Sequence, residues 1–367
     1  MKMPITQIHI ADIHFGAIDP EDQYNILEEQ FLKQISKVGF QILSIDGDLF
    51  DRKFMASSKA VYYANKFVYA CANLCAMRQA TFIMISGTES HESGQLSLYK
   101  DLGNLLPVDI EIIEKPTFIY KYGMTILCLP EEYGKSKQYY DNILKSRVYD
   151  MCFMHGTLAG GVYGCNKEDL DNRRPVFDIE SFEYCRGPII SGHVHKPMCL
   201  KEYMYYVGTP IRYKFGEEEP KGYAILISNE NGHYYRFMPI ESYRYDTKDI
   251  TVNSDDPNEI IKYIDGLQYQ GHDHLRVQLS TENDIVGKAV TQYYSSNPNI
   301  RIDYKKKNVD SQPAINTTQE ILEKYKGMDY LLDPSISNFD KLSRYINTSV
   351  GYSFITSEEL KNIYNGK

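Results

Sequence analysis

Five short motifs of histidine and aspartate punctuate this chain, and each falls where an apolar, strand-like run stops. Asp12-Ile13-His14 follows ITQIHI, and Gly47-Asp48-Leu49-Phe50-Asp51 follows FQILSI. Gly87-Thr88-Glu89-Ser90-His91-Glu92 follows ATFIMIS. His155-Gly156 closes YDMCFMH, and Gly192-His193-Val194-His195 closes GPIISGH. Open α/β sheets place their sites outside the carboxyl ends of their strands. An ordered series of this kind therefore points to an α/β fold whose strand ends share one site.

The residue types fit metal chemistry. In an extended chain, residues two apart point to the same side. Asp12 with His14, and His193 with His195, can then each supply two ligands to one cavity. Carboxylate and imidazole suit manganese, iron or zinc rather than calcium. Gly47 lets the backbone turn before Asp48, whose carboxylate can bridge two ions. Two ions about 3.5–4 Å apart can clamp the attacking and leaving oxygens of a phosphate.

The texture along the chain supports the layered reading. EDQYNILEEQFLKQISKV and SSKAVYYANKFVYACANLCAM carry apolar residues at helical spacing between the first three strands. After Pro107, DIEIIE, TFIYKY and MTILCLP read as short strands, KSKQYYDNILKSR as a helix, and YMYYVG, KGYAILIS and HYYRFMPI as hairpin-like strands. Beyond these, NEIIKYIDGLQ, HLRVQLS, DIVGKAVTQYYSS and NIRIDYKK alternate helix and strand, and KNVDSQPAINTT reads as a polar linker. TQEILEKYKGMDYLL, SNFDKLSRYI and SEELKNIY read as short amphipathic helices with too little core of their own.

Charge and cysteine content exclude some partners and leave others open. The formal net charge is −9, so a grip on DNA through the overall field is not expected. No run of about 18 apolar residues occurs, and the first residues lack the apolar stretch of a signal peptide. Seven scattered cysteines fit a reducing cytoplasm. Cys71 and Cys75 read as buried thiols on a helix, and the sequons at Asn316 and Asn347 then carry no meaning. The 32 tyrosines can stack on bases or simply pack.

ADIHFG, GDLFD, MHG, SGHVHKP and YVGTPIRYKFGEEEPKGYAIL together resemble the calcineurin-like metallophosphoesterases. More narrowly they look like the SbcD/Mre-type DNA nuclease subunit, phage versions included. The resemblance spans residues 10–225. It implies a four-layer α-β-β-α domain, two packed mixed sheets flanked by helices, over 1–240. A small α+β DNA-capping domain over 241–310 and an ATPase-binding helical tail over 311–367 would follow. It implies two divalent ions, Mn²⁺ foremost with Mg²⁺ or Fe²⁺ as alternatives. Asp12, His14, Asp48 and His195 would hold the first ion. Asp48, His155 and His193 would hold the second, with one more ligand from the third motif, and Asp51 would support its loop.

That third motif departs from the family's Gly-Asn-His-acid. Keeping a histidine followed by an acid makes His91 catalytic and puts Ser90 at the Asn position. The other register puts Thr88 there and Glu89 where the histidine should be. The first register is preferred here. The implied activity is 3′→5′ exonuclease on double-stranded DNA ends and endonuclease on single strands. The implied partners are DNA, an SbcC/Rad-type coiled-coil ATPase and a second copy of the chain. A general phosphodiesterase or phosphatase of the same fold is one alternative. A catalytically weakened scaffold binding DNA or the ATPase is another.

Several tempting residues carry plainer expectations. His9 is read as a packed core histidine, and His272-Asp273-His274 as the start of an edge strand. Arg301, Lys305, Lys306 and Lys307 can touch phosphates or form a solvated strand end. Glu217, Glu218 and Glu219 are read as a solvated loop.

Overall fold

The computed structural model describes residues 4–306 except 93, 160–174 and 253, and beyond them 336–338, 340, 341, 343 and 356–364. The chain forms two units, Met1–Lys306 and Lys307–Lys367. Cys165, Lys307, Asn316, Asn347 and most of the tail lie outside the described residues. Of the three tail helices read from the sequence, Ser357–Tyr364 is helical.

The strands of the first unit run in chain order. They are β1 (Ile5–Ile10), β2 (Ile42–Asp46), β3 (Thr81–Ile85), β4 (Asp109–Ile113), β5 (Thr117–Lys121) and β6 (Met124–Leu129). Then come β7 (Met151–His155), β8 (Thr157–Leu158), β9 (Val176–Phe177), β10 (Ile189–Gly192), β11 (Met198–Lys201) and β12 (Met204–Tyr206). Last are β13 (Lys221–Asn229), β14 (Gly232–Ile240), β15 (Tyr245–Val252), β16 (His274–Thr281) and β17 (Ile300–Lys306).

Two mixed six-stranded sheets result, ordered β14-β13-β1-β2-β3-β4 and β11-β12-β10-β7-β6-β5. β1 to β4 pair in parallel because helices cross between them, whereas β13 closes antiparallel on β1 with Ile5 opposite Ser228. The two sheets pack face to face through Ala11, Ile42, Ile83 and Ile85 against Ile126, Cys128, Phe153 and Ile190. The outer face of the first sheet is covered by the helices Pro20–Leu27 and Lys59–Arg78, which bury Leu27, Phe67 and Cys71. The outer face of the second carries the helix Lys137–Leu144 with Tyr140 and Leu144 inward. Strands buried on both faces read as near-continuous apolar runs, as β2 and β3 do. Among the described residues the helix from Pro20 differs from the sequence expectation, since its middle, Glu28–Leu32, is a π-bulge.

A third sheet, parallel and ordered β15-β16-β17, carries two helices, Pro257–Asp265 and Asp284–Tyr293, and its own core of Ile264, Leu275, Val277, Leu279 and Val290. β15 was absent from the sequence reading. Its first four residues are all half-buried, so it lacks the in-out alternation that marks a strand.

Candidate metal centre

The carboxyl ends of β1, β2, β3, β7 and β10 meet at one edge of the two packed sheets, and every motif residue named above ends or follows one of them. The local backbone there is unusual. Asp12, His14, Asp48 and His193 all have positive φ, at 51°, 49°, 51° and 87°. The left-handed region costs a residue with a Cβ about 1–3 kcal/mol and persists only where surroundings enforce it. Here Asp12 N–H donates to Gly47 O (3.0 Å) and His14 N–H to Asp48 O (2.9 Å). His193 N–H donates to both carboxylate oxygens of Asp12 at 2.9 and 3.0 Å. The expectation that Asp12 and His14 converge through extended-strand alternation is therefore corrected. β1 has ended at Ile10, and two left-handed residues aim the side chains instead. Gly47 and Gly87 permit the closeness: a Cβ would lie 2.0 Å from His155 Nδ1 at the first and 2.2 Å from Asp48 Oδ1 at the second.

Two donor groups form. In Asp12, His14 and His195, and again in Asp48, His155 and His193, candidate ligand atoms lie within 4.8 Å of one another. Asp48 Oδ2 stands between the groups, 3.2 Å from His155 Nε2 and 3.8 Å from His14 Nε2. His193 Nδ1 is 3.3 Å from His155 Nε2, and His14 Nε2 is 3.1 Å from His195 Nε2. A third group, His14, Asp51 and His91, opens toward the surface. Lining residues including His14, Asp48, Thr88, His91, His193, His195, Tyr213 and Phe215 enclose a cleft of about 610 Å³.

The electrostatics fit a cation. Burial pushes the His14 imidazole down to about 3, which leaves it neutral and able to ligate. Burial opposes the charge on His155, but the Asp48 carboxylate lifts its pKa to about 10. Burial likewise opposes the Asp48 carboxylate, yet His155 and His14 hold it well below its ordinary range. Asp12 is raised by burial, which His155 and His195 only partly offset. Glu217 accepts from His195 Nδ1, so the proton of that ring sits on Nδ1. Its Nε2 then faces Nε2 of His14 at 3.1 Å, close enough for the two nitrogens to share one cation. The buried His/Asp groups can bind metal ions.

The third motif resolves differently from either register. Thr88, not Ser90, faces the cluster: its Oγ1 is 3.1 Å from Asp48 Oδ2, 3.3 Å from His155 Nε2 and 3.4 Å from His193 Nδ1. Ser90 is exposed, so the expectation that it faces the second donor group is corrected, and Thr88 stands there instead. His91 nevertheless reaches the cleft, its ring 4.9 Å from that of His14 and its Nδ1 donating to Asp51 O. The reason is the single helical turn Glu89–Glu92, because three residues of helix return Thr88 and His91 to one side. Glu92 locks that turn, accepting from Leu49 N–H at 2.5 Å and Gly87 N–H at 2.6 Å. Burial and nearby Asp48 push its carboxyl up to about 7.

Sequence reasoning missed the supports. Glu217 is 4% exposed and not part of a solvated loop. Its Oε1 lies 2.7 Å from His195 Nδ1. Burial opposes its charge, yet His195 and Lys221 hold it down to about 2. Buried Lys221 donates to His195 O (2.9 Å) and to Glu219 Oε1 (2.7 Å). Asp46 O accepts from His155 Nδ1 at 2.9 Å, while its side chain pairs with His9 Nδ1 at 2.8 Å. His9 is fully buried, edge-on to Phe153. The signal for Glu217 and Lys221 was the glycine-flanked hairpin segment itself, which offered no clue to which acid turned inward.

The remaining candidates lie apart from the centre. His272 pairs with Asp22 (3.3 Å) and stacks on Tyr243, Asp273 binds Arg244, and His274 stacks on Tyr245. Arg301 pairs with Asp303 on β17, an edge strand, where Lys305 and Lys306 are exposed.

Fold and site together define a mixed α/β protein, sheets flanked by helices, with a buried histidine–carboxylate centre at the strand ends. No family model matches the chain. Over 234 residues it is 24% identical to a protein of Invertebrate iridescent virus 6 named "Putative phosphoesterase 244L", covering 61% of this chain and 76% of that protein. Two solved structures are similar over 64% of this chain at 12% identity. One is matched along 100% of its length with a TM-score of 0.42. The other, a cold-active protein-tyrosine phosphatase of a psychrophilic Shewanella, is matched over 78% with a TM-score of 0.31. Superpositions this loose do not decide a fold, which rests here on strand order and cores.

Proposed function

We propose that this protein is a two-metal phosphoesterase, and that its substrate is DNA. The observation that carries the first part is the pair of donor groups with Asp48 Oδ2 between them, lining an open cleft. The viral relative's printed name agrees with it. The first ion would be held by Asp12, His14, Asp48 and His195, and the second by Asp48, Thr88, His155 and His193. Mn²⁺ and Fe²⁺ fit this nitrogen and oxygen set, and Mg²⁺ fits it less closely. Divalent ions supply an activated water and neutralise charge on the phosphoryl oxygens. His91 has its Nδ1 proton committed to Asp51 O, so Nε2 is the atom left to stabilise or protonate the leaving oxygen. His195 and His14 line the wall beside it.

DNA is favoured over a phosphoprotein by the SbcD/Mre-like motif set and by the small sheet beside the cleft. Phe215 lines the cleft and carries Arg276 of β16 over its ring at 5.0 Å. The role of that sheet as a DNA cap, homodimer formation, and docking of the tail from 311 onto an SbcC/Rad-type ATPase belong to the same proposal. Purified protein with Mn²⁺ is expected to degrade linear DNA. His91→Ala should abolish cleavage, by about 10²–10⁴-fold, with metal content retained. Intact DNA alongside hydrolysis of a phosphoprotein or small phosphoester would replace the nuclease reading with a general phosphatase. Deletion of 311–367 should abolish co-purification with the ATPase, and unchanged co-purification would remove that partner.

A further inference from the structure

Glu217 takes no part in the chemistry above, yet it is buried against a proposed ligand. A carboxylate of this kind only accepts hydrogen bonds, so the 2.7 Å contact to His195 Nδ1 requires the proton there. A neutral ring then keeps a lone pair on Nε2, the atom turned toward His14 Nε2. Resting on the metal-centre reading, we propose that Glu217 is the positioning residue that fixes the tautomer and angle of His195 for ligation through Nε2.

The carboxylate is itself held in place. Its Oε2 accepts from Tyr213 N–H at 2.9 Å, and Arg212 Nε donates to Glu217 O at 2.9 Å. The backbone of His195 is fixed from the same β12–β13 connection, with Lys221 Nζ at 2.9 Å and Thr209 N–H at 3.1 Å donating to its carbonyl. Between Tyr213 and Glu217, Phe215 anchors the loop on the small sheet, under Arg276 and edge-on to Tyr245 at 5.6 Å. The connection from β12 to β13 thus grips the histidine at ring and backbone. Outer partners of this kind orient metal-binding histidines.

The test is ¹⁵N-histidine NMR on the metal-free full chain, together with Mn²⁺ calorimetry. Wild type should show His195 protonated on Nδ1. Glu217→Gln keeps an acceptor and should keep that tautomer. Glu217→Met keeps the length without an acceptor. It should lose the tautomer and weaken Mn²⁺ binding by about 10- to 100-fold. A merely structural role would change thermal stability but leave the tautomer of folded Glu217→Met unchanged, and that result overturns the proposal. His195 protonated on Nε2 in wild type overturns it with no variant needed. Wild type with the Nδ1 tautomer but no Mn²⁺ binding would instead remove the metal-centre reading.

Discussion

At the scale of single residues, Thr88 sets the character of the centre. Its hydroxyl stands among Asp48, His155 and His193, where the resemblance leads one to expect an amide. A neutral hydroxyl is a poorer ligand than an amide oxygen and reaches less far. Thr88→Asn is therefore expected to tighten binding of the second ion by on the order of tenfold, about 1.4 kcal/mol, while Ser90→Ala changes nothing. Calorimetric titration of metal-free protein with Mn²⁺ checks both, and equal effects from the two variants would return Ser90 to the site. Residue identities at strand ends were legible because Asp12, His14, Asp48, His155, His193 and His195 stand in short patterns. Thr88 was visible only as the less preferred alternative to Ser90, because its place depends on one helical turn that puts His91 three residues on. Glu217 was not, because three successive glutamates look alike until the hairpin returns one of them to His195.

At the scale of elements, the helix Asp284–Tyr293 offers a test in which two effects compete. Gly287 lies within it, and alanine normally stabilises a helix interior by about 1 kcal/mol relative to glycine. Here a Cβ would sit 2.3–2.6 Å from the ring of Tyr304 on β17. That ring is tied to Asp284 by its hydroxyl at 3.2 Å, so it does not swing away freely. Overpacking costs about 1–3 kcal/mol, so Gly287→Ala should destabilise the small sheet despite its better propensity. Hydrogen exchange should quicken in β16 and β17 and stay unchanged in β2 and β3, because the two regions have separate cores. The helix Lys59–Arg78 was legible from its periodic apolar face. The strand β15 was not, because its pairing partner β16, with Tyr245 opposite His274, lies far along the chain and leaves no local mark.

At the scale of the whole molecule, the proposed ligands divide between the two sheets. Asp12, His14, Asp48 and Thr88 follow strands of one, and His155, His193 and His195 end or follow strands of the other. Bound ions would therefore cross-link the sheets at their open edge. Ligand at 100 times its dissociation constant stabilises by about 2.7 kcal/mol. At about 2–4 °C per kcal/mol for a domain of this order, chelation should lower the melting temperature by about 5–10 °C. Scanning calorimetry with and without Mn²⁺ measures it, and an unchanged transition would count against the bridging arrangement. The face-to-face packing of the sheets was legible only in outline, since apolar runs do not state which strands share a sheet. β4 joins the first sheet and β5 the second, although three residues separate them.

The place of β1 also bears on how the chain is made. β1 sits between β2 and β13, and its antiparallel neighbour is translated more than two hundred residues after it. Lys221, which grips His195, opens that same late strand. At about 5–20 residues per second, the first strand waits tens of seconds on the ribosome for its closing partner. Every proposed ligand is therefore made before the strand that closes the first sheet and steadies His195, so the centre gains its last support late in synthesis.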